Sequence, residues 1–368
     1  MDSRLRIYID FKSKPTYGPI IDVVNHLALE NEVLYSHSKQ FRLEGLDDNI
    51  VIAGSNRDIG EFKPQVVFSA YSSFPALVLN TIAIKAPIVN YRFIHTSLKD
   101  ILSAKFKKFP IAYKIRILSN LVSYSLPKRF SMPDQLLLPN NLVKQELMEI
   151  GFSEDRLRVL QWGFLTEKYD AFASSASSDP IHDYILYAGP LHDLRFSLNL
   201  VDAFAEISGK HSNAILSLLF RRVWDKSLLQ KVYNKVRQKG IDSRVRILTT
   251  PLTHYQLMNY INRAAVVVLT YFASGIVEMP PLTLLESMAL SKPIITNQGI
   301  ATSEIIQNGY NGVVINQDTR ALANAIDSLL SNRNRAISLG LKAKHSVERN
   351  FSFRKFCERL EDTLECVI

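Results

Sequence analysis

Short apolar segments alternate along this chain with amphipathic segments of helical period, and the alternation runs through both halves. Such alternation favours a parallel β-sheet with helices on both faces. Because 368 residues exceed what one ordinary core holds, the chain suits two domains of about 150 to 180 residues. We therefore predict an α/β fold with two similar halves.

The predicted elements follow the apolar periodicity. In the first half we predict strands at Leu5–Phe11, Glu32–Tyr35, Pro64–Ser69, Pro87–Asn90, Gln135–Leu138 and Arg158–Leu160, and helices at Ile20–Leu29, Ala76–Ile84 and Leu142–Ile150. In the second half we predict strands at Tyr184–Ala188, Ala214–Phe220, Val245–Leu248, Ala265–Leu269, Pro293–Thr296 and Val313–Ile315. Its helices are predicted at Leu198–Ile207, Ser227–Lys239, Thr253–Asn262, Pro281–Leu290 and Arg320–Asn332, followed by further helices.

A polar, low-complexity connection rich in Ala and Ser separates the halves. We predict a linker at 165–182 between domains at 1–164 and 183–345. Ligands in such sheets bind beyond the carboxyl ends of the strands, so the natural site lies between the halves.

Composition limits the compartment and the partners. The only cysteines are Cys357 and Cys366, which indicates a reducing compartment without a disulfide framework. No apolar run reaches the roughly 18 residues that span a bilayer, and the first residues lack the apolar core of a signal peptide. We expect a cytoplasmic protein.

The net charge of +9 is unevenly distributed. Between Lys99 and Arg129, eight basic residues are opposed only by Asp100, and many apolar residues lie among them. One interpretation is contact with an anionic membrane surface, which would place the protein at the inner face of the membrane. The other is the solvated face of a helix whose opposite face is core. Nucleic acid is disfavoured, since no recognised binding motif accompanies the charge.

The segment from Glu278 to Glu286 contains a loop carboxylate, a proline pair and a second carboxylate within a predicted helix. Proline suits the first helical position, where its missing N–H would have been unpaired anyway. The free N–H groups and partial positive charge of a helix N-terminus suit a phosphate. Side chains lean toward that end, so Glu286 can reach back toward a ligand there. The unit is a plausible site for a sugar attached to a phosphate.

The same spacing resembles the E-x7-E signature of retaining glycosyltransferases, most closely glycosyltransferase family 4. Further segments similar to that family follow in the right order, and together they cover nearly the whole chain. They are Pro64–Ser69, Ile88–His95, Pro133–Gly163, Tyr187–Phe204, Gly299–Gly312 and Asn350–Phe353. The resemblance implies the GT-B fold: two Rossmann-like domains facing across a cleft. It implies that 1–164 binds the acceptor, that 183–345 binds the nucleotide-sugar, and that a helix at 346–368 returns to the first domain.

The resemblance also implies roles for individual residues. The implied catalytic residues are Glu278, His95 and Arg195. The implied donor-binding residues are Gly18, Gly189, Arg195, Arg221, Arg222, Thr249, Thr250, Leu282, Thr283 and Glu286. Among these, Glu286 would bind the ribose hydroxyls of the nucleotide, and the N–H groups of Leu282 and Thr283 would bind the sugar phosphate. Ordinary roles stay open: a turn glycine for Gly18, a structural histidine for His95 and solvated arginines for the cations.

The implied activity is that of a retaining, hexosyltransferase-like enzyme, which moves a sugar from a nucleotide-diphospho-sugar to a glycan or lipid-linked acceptor. The chain has no Asp-x-Asp sequence, so we expect neither a metal nor another cofactor. Departures from the family pattern at Pro190, Pro280 and Pro281 leave open a non-catalytic GT-B protein that binds sugar-nucleotides or acts as a partner subunit. A sugar-nucleotide epimerase of the same fold is disfavoured by the paired glutamates.

Overall fold

The chain is described from a computed structural model. The residues that the structure describes are 4–11, 19–37, 50–52, 58, 61–69, 86, 88–91, 134–149, 151–170, 172, 184–191, 197–223, 226–271 and 281–368. The predicted helix Ala76–Ile84, the basic segment Lys99–Arg129 and the predicted site residues Gly18, His95, Arg195 and Glu278 lie outside these residues.

The chain divides into two compact units. The first comprises Met1–Phe164 and Phe353–Ile368, and the second comprises Leu165–Ser352. Each is described by itself below.

The first unit is built on a parallel sheet of seven strands in the order β3-β2-β1-β4-β5-β6-β7. The strands are β1 (Arg6–Phe11), β2 (Glu32–His37), β3 (Val51–Ile52), β4 (Val66–Ser69), β5 (Ile88–Tyr91), β6 (Gln135–Leu138) and β7 (Leu157–Val159). Its helices in the described part are α1 (Pro19–Glu30), α2 (Asn141–Glu149) and the C-terminal helix, labelled α10 below. Ile7 and Ile9 of β1 and Val23, Val24 and Leu27 of α1 are all fully buried.

The second unit contains a parallel sheet of six strands in the order β10-β9-β8-β11-β12-β13. The strands are β8 (Tyr184–Leu191), β9 (Ile215–Val223), β10 (Val245–Leu248), β11 (Ala264–Leu269), β12 (Ile294–Asn297) and β13 (Val313–Ile315). The helices are α3 (Ser197–Ile207), α4 (Lys226–Gln238), α5 (His254–Arg263), α6 (Leu282–Ala289), α7 (Thr302–Ile305), α8 (Thr319–Ser331) and α9 (Arg333–Asn350).

The predicted alternation of strands and helices is confirmed wherever the structure describes it. Because parallel strands are buried on both faces, their side chains form near-continuous apolar runs. Val266, Val267, Val268 and Leu269 of β11, for example, are all fully buried. The two-residue strand β3 was not predicted, since so short a segment carries no periodicity to detect.

The C-terminal boundary differs from the prediction. Residue 346 lies inside α9, whose Ser346 hydroxyl accepts a hydrogen bond from Asn311 of the second unit at 3.1 Å. The second unit therefore continues through Ser352. Within the predicted segment 346–368, only the part that forms α10 (Phe353–Cys366) belongs to the first unit. There, Phe356 packs on Trp162 with ring centroids 4.7 Å apart.

The predicted linker also differs. Its first residues are part of the second unit, and Thr166–Tyr169 forms a 3₁₀ turn in contact with α6. Tyr169 is buried, and Lys344 of α9 binds the Asp170 carboxylate at 2.8 Å. A polar composition predicted a solvated connection, but one buried aromatic and one ion pair attach this segment to the second unit.

The strand order of the second sheet reverses direction between β8 and β11. In open parallel sheets, ligands bind beyond the carboxyl ends of the strands at this reversal. Predicted site residues Arg195 and Glu278 follow these two strands in sequence. In the second unit we therefore expect a ligand to bind beyond the carboxyl ends of β8 and β11, which end at Leu191 and Leu269.

Candidate functional site

The N-terminus of α6 is the first component of the site. Pro281 has φ −56° and ψ 137° and immediately precedes the helix, which begins at Leu282. The helix therefore starts one residue later than predicted. Leu284 N–H donates to the Pro281 carbonyl at 2.8 Å. Among the described residues, the backbone N–H groups of Leu282 and Thr283 have no hydrogen-bond acceptor. Unpaired N–H groups at a helix start suit an anion.

Glu286 lies one turn further along α6. It is 1% exposed, and its Oε1 accepts a hydrogen bond from His254 Nε2 at 3.1 Å. Its Oε2 is buried without a hydrogen-bond partner among the described residues. A buried polar atom without a partner costs free energy. An unpaired carboxylate oxygen next to a helix N-terminus is therefore suited to accept hydrogen bonds from a ligand.

His254 is the second component, and sequence reasoning did not identify it. It is the first residue of α5, whose N-terminus is fixed by a capping box between Thr253 and Gln256. The hydrogen bond with Glu286 raises the pKa of His254 above its ordinary value, against burial and the charge of Arg221, which lower it. Arg221 is therefore close enough to His254 to act on it electrostatically.

Two aromatic residues border this pair. The ring of Tyr169 meets the imidazole of His254 edge-on at 5.9 Å, and Phe172 does so at 6.3 Å. Burial raises the pKa of Tyr169, and the negative charge of Glu286 together with a side-chain hydrogen bond to it raises that pKa further. Both aromatic residues come from the predicted linker, where a low-complexity composition gave no reason to expect aromatic packing.

An irregularity in the backbone pairing lies at the end of β9, where Arg221 and Arg222 follow Phe220. Gly189 pairs with Phe220 and Leu191 pairs with Val223, so Pro190 alone lies opposite two residues, Arg221 and Arg222. Proline lacks the N–H that would continue the ladder, and bulges redirect the side chains beside them. The Tyr187 hydroxyl donates to the Pro190 carbonyl at 2.8 Å. Proline at 190, a departure from the family pattern, therefore coincides with the irregularity that carries the arginine pair.

The structure brings together part of the predicted site. Arg221 and Glu286 both interact with His254, and Leu282 and Thr283 begin the helix that carries Glu286. Gly189 lies in β8 beside the end of β9. Thr249 and Thr250 are exposed in the turn between β10 and α5, a few residues before His254. The backbone of Arg222 lies in β9.

The part of the chain that the structure describes offers neither a metal cluster nor a membrane-spanning helix. Within it, no group of three or more His, Cys, Asp or Glu side chains is arranged to hold a metal ion. None of its helices combines the length and apolarity needed to cross a bilayer.

Comparison with known proteins identifies the second half. Residues 182–332 match the family model described as glycosyl transferases group 1. This part of the chain is therefore similar to the group 1 glycosyltransferases. The match contains Arg221, His254 and Glu286, and it confirms the resemblance predicted from the motifs.

Relatives extend the similarity to both halves. The α-1,3/1,6-mannosyltransferase ALG2 of Dictyostelium discoideum is 22% identical over 331 residues, which cover 80% of this chain and 76% of that protein. The crystal structure of Anabaena HepE with UDP and glucose is 16% identical with a TM-score of 0.72, covering 99% of this chain and 100% of that one. A glycosyltransferase from Rickettsia africae is 16% identical with a TM-score of 0.76, covering 99% of both chains. The predicted GT-B fold is confirmed.

Proposed function

We propose that the protein is a retaining glycosyltransferase, which transfers a sugar from a nucleotide-diphospho-sugar to a glycan or lipid-linked acceptor without a metal. The observation that carries the proposal is the buried Glu286 carboxylate, whose Oε2 has no hydrogen-bond partner among the described residues. It lies one turn from the N–H groups that begin α6, which have no acceptor among the described residues.

The donor would bind to the second unit. A diphosphate at the start of α6 would accept hydrogen bonds from Leu282 and Thr283, and the helix dipole would stabilise its charge. Arg221 acts electrostatically on His254, and arginine binds phosphate through two parallel hydrogen bonds. The Glu286 carboxylate can only accept hydrogen bonds, so it fits ribose hydroxyls. The related fold of HepE has been crystallised with UDP and with UDP-glucose.

The chemical step would depend on electrostatic stabilisation. As the bond to the anomeric carbon breaks, negative charge collects on the leaving diphosphate. Arg195 and the N-terminus of α6 would stabilise that charge, an effect typically worth several kcal/mol. The leaving phosphate would take the acceptor's proton on the same face, with Glu278 and His95 beside the sugar. No carboxylate nucleophile is then required, in contrast to retaining glycosidases.

The acceptor side rests on sequence. The basic, apolar segment Lys99–Arg129 favours a lipid-linked or membrane-proximal acceptor, and with it a cytoplasmic enzyme at the inner face of a membrane. Flotation with anionic liposomes tests this part. Binding that is lost when the lysines of this segment are reversed to glutamate supports it, and an absence of binding contradicts it.

A second candidate is a GT-B protein that binds the donor without turnover. Two observations favour it. Pro281, immediately before α6, cannot donate a backbone hydrogen bond to a phosphate, and Pro190 occupies a position where the family has an arginine.

The test is incubation with a panel of nucleotide-sugars, recording thermal shift and slow release of nucleotide. A retaining transferase raises the unfolding temperature with its donor, by mass action, and hydrolyses it slowly. NMR of the released sugar or of a transfer product should then show the donor's anomeric configuration. A shift without hydrolysis or transfer supports the non-catalytic candidate, and an inverted product contradicts the retaining mechanism. Undiminished turnover in EDTA is expected, and its loss would contradict the metal-free proposal.

A further inference from the structure

We propose that His254 is a positioning residue, which holds one oxygen of the Glu286 carboxylate and leaves the other to bind the vicinal hydroxyls of a ribose. The inference rests on the proposed function and deepens it. It predicts that selectivity for ribonucleotides over nucleotides without ribose hydroxyls depends on an imidazole that need not contact the ligand.

The geometry of the pair separates the two oxygens of the carboxylate. His254 Nε2 lies 3.1 Å from Oε1, and a carboxylate can only accept hydrogen bonds, so Nε2–H donates. Oε2 is buried and has no partner among the described residues. One oxygen is therefore fixed by the protein, and its partner oxygen keeps its full capacity to accept from a ligand.

The two side chains differ sharply in exposure. The Glu286 side chain is 1% exposed and the His254 side chain is 55% exposed. A buried carboxylate without a hydrogen-bond donor would be costly, and His254 supplies that donor from the solvent side. The imidazole thus compensates for the burial of Glu286 without closing the site.

His254 is itself held in place from several sides. As the first residue of α5, it follows a capped N-terminus. The ring edges of Tyr169 and Phe172 approach it at interplanar angles of 74° and 84°. The Phe172 carbonyl accepts a hydrogen bond from Asn262 of α5 at 2.5 Å, which attaches the aromatic segment to the same helix. Groups that orient a binding residue are effective when packing fixes their own rotamers.

Charges on the neighbouring elements agree with this role. Arg221 of β9 lowers the pKa of His254 and Glu286 of α6 raises it. The charge of Glu286 and a hydrogen bond with it also raise the pKa of Tyr169. Because Nε2–H donates in both the neutral and the protonated imidazole, the hydrogen bond to Oε1 does not require a particular pH.

The test compares nucleotides with and without ribose hydroxyls. The probes are UDP and GDP with their 2′,3′-dideoxy counterparts, titrated calorimetrically into the full chain. The variants are His254→Phe, which keeps an aromatic ring but has no donor, and His254→Gln, which keeps an N–H donor. The matched control is His211→Phe, which removes an imidazole from another carboxylate, Asp327, at 2.6 Å.

We expect His254→Phe to weaken binding of the ribonucleotide about tenfold, the usual effect of a hydrogen bond to a charged group, and to leave the dideoxy probe unchanged. His254→Gln should restore most of the selectivity, and His211→Phe should keep all of it. Equal weakening of both probes by His254→Phe would indicate a merely structural role and overturn the inference. Wild-type binding without ribose selectivity also overturns it, while the proposed function stands. If the wild type binds neither nucleotide nor any nucleotide-sugar, the proposed function falls with it.

Discussion

The described part of the second unit contains two histidine–carboxylate pairs that differ in what surrounds the carboxylate. Asp327 of α8 accepts hydrogen bonds on both oxygens: from His211 at 2.6 Å and Ser331 at 3.2 Å on Oδ1, and from Lys210 at 2.8 Å on Oδ2. Glu286 is more deeply buried, yet among the residues that the structure describes only its Oε1 has a hydrogen-bond partner. Burial makes an unpaired oxygen more costly for Glu286 than for Asp327, yet it is Glu286 that has one oxygen without a partner among the described residues.

The two pairs use the same histidine–carboxylate hydrogen bond for different purposes, one for stability and the other for ligand binding. Asp327 connects α8 to the turn after α3, and every partner it needs comes from the protein, so its contribution is to stability. Glu286 keeps an unsatisfied acceptor beside a helix N-terminus, where a ligand's hydroxyl groups can supply the missing hydrogen bonds. Buried polar groups without partners in folded proteins call for such an explanation. The following predictions test this distinction.

The largest effect is expected from Glu286→Gln. An amide retains the shape but loses the charge, and hydrogen bonds to charged groups contribute about 1.5 to 3 kcal/mol. We expect turnover of the donor to fall about 100-fold, with no loss of stability, because a buried charge has been removed. Initial rates and urea unfolding of the same preparation measure both. A variant that unfolds more easily but catalyses donor turnover at the normal rate would contradict the assignment of Glu286 to ligand binding.

The next largest effect is expected from a substitution where α9 packs against the turn that follows α6. A Cβ at Gly340 of α9 would overlap the backbone carbonyl of Ser291, in the turn that follows α6. Backbone cannot move aside as a flexible side chain can, so Gly340→Ala should destabilise the protein by about 2 kcal/mol. Urea unfolding measures the change. Gly209→Ala is the matched control, since a Cβ there has no heavy atom within 4 Å.

A smaller effect is expected from Asp327→Asn. Its partners are partly exposed, and ion pairs of this kind contribute up to about 1 kcal/mol. We expect a loss of about that size in the free energy of unfolding, together with unchanged donor turnover. A fall in turnover comparable to that of Glu286→Gln would show that the two pairs do not differ as described.

The smallest effect is the pH dependence of the contribution that Asp327 makes to the free energy of unfolding. Hydrogen bonds from Lys210 and then His211 lower the pKa of Asp327 to about 2. Since the folded value lies below the unfolded one, the stabilisation is present above pH ~4 and is lost as the pH falls toward ~2. The difference in unfolding free energy between wild type and Asp327→Asn should therefore narrow over that range. A difference that stays constant would contradict the assigned shift.

Sequence predicted the elements that depend on continuous periodicity. Buried strands such as β11 and the glutamate on α6 were located because apolar runs and capping patterns are local properties. The domain boundary near residue 346 was wrong because α9 continues through it, and only tertiary contacts such as Asn311 with Ser346 show which unit holds that turn.

Part of the candidate site was not predictable because it depends on tertiary contacts between residues that are far apart in the sequence. His254 is one exposed histidine in a helical first turn, and its hydrogen bond joins it to a residue 32 positions away. Tyr169 and Phe172 lie beside a low-complexity stretch, so composition concealed their packing. The bulge at Pro190 depends on the register between β8 and β9, which a single sequence does not specify.

The most direct test of the central claim, that Glu286 is half unpaired because a nucleotide completes its hydrogen bonds, is a calorimetric titration. UDP and GDP are titrated into wild type, Glu286→Gln and Asp327→Asn under one condition. We expect at least one nucleotide to bind the wild type, Glu286→Gln to weaken that binding at least about tenfold, and Asp327→Asn to bind the nucleotide as the wild type does. Equal affinity in all three proteins would contradict it.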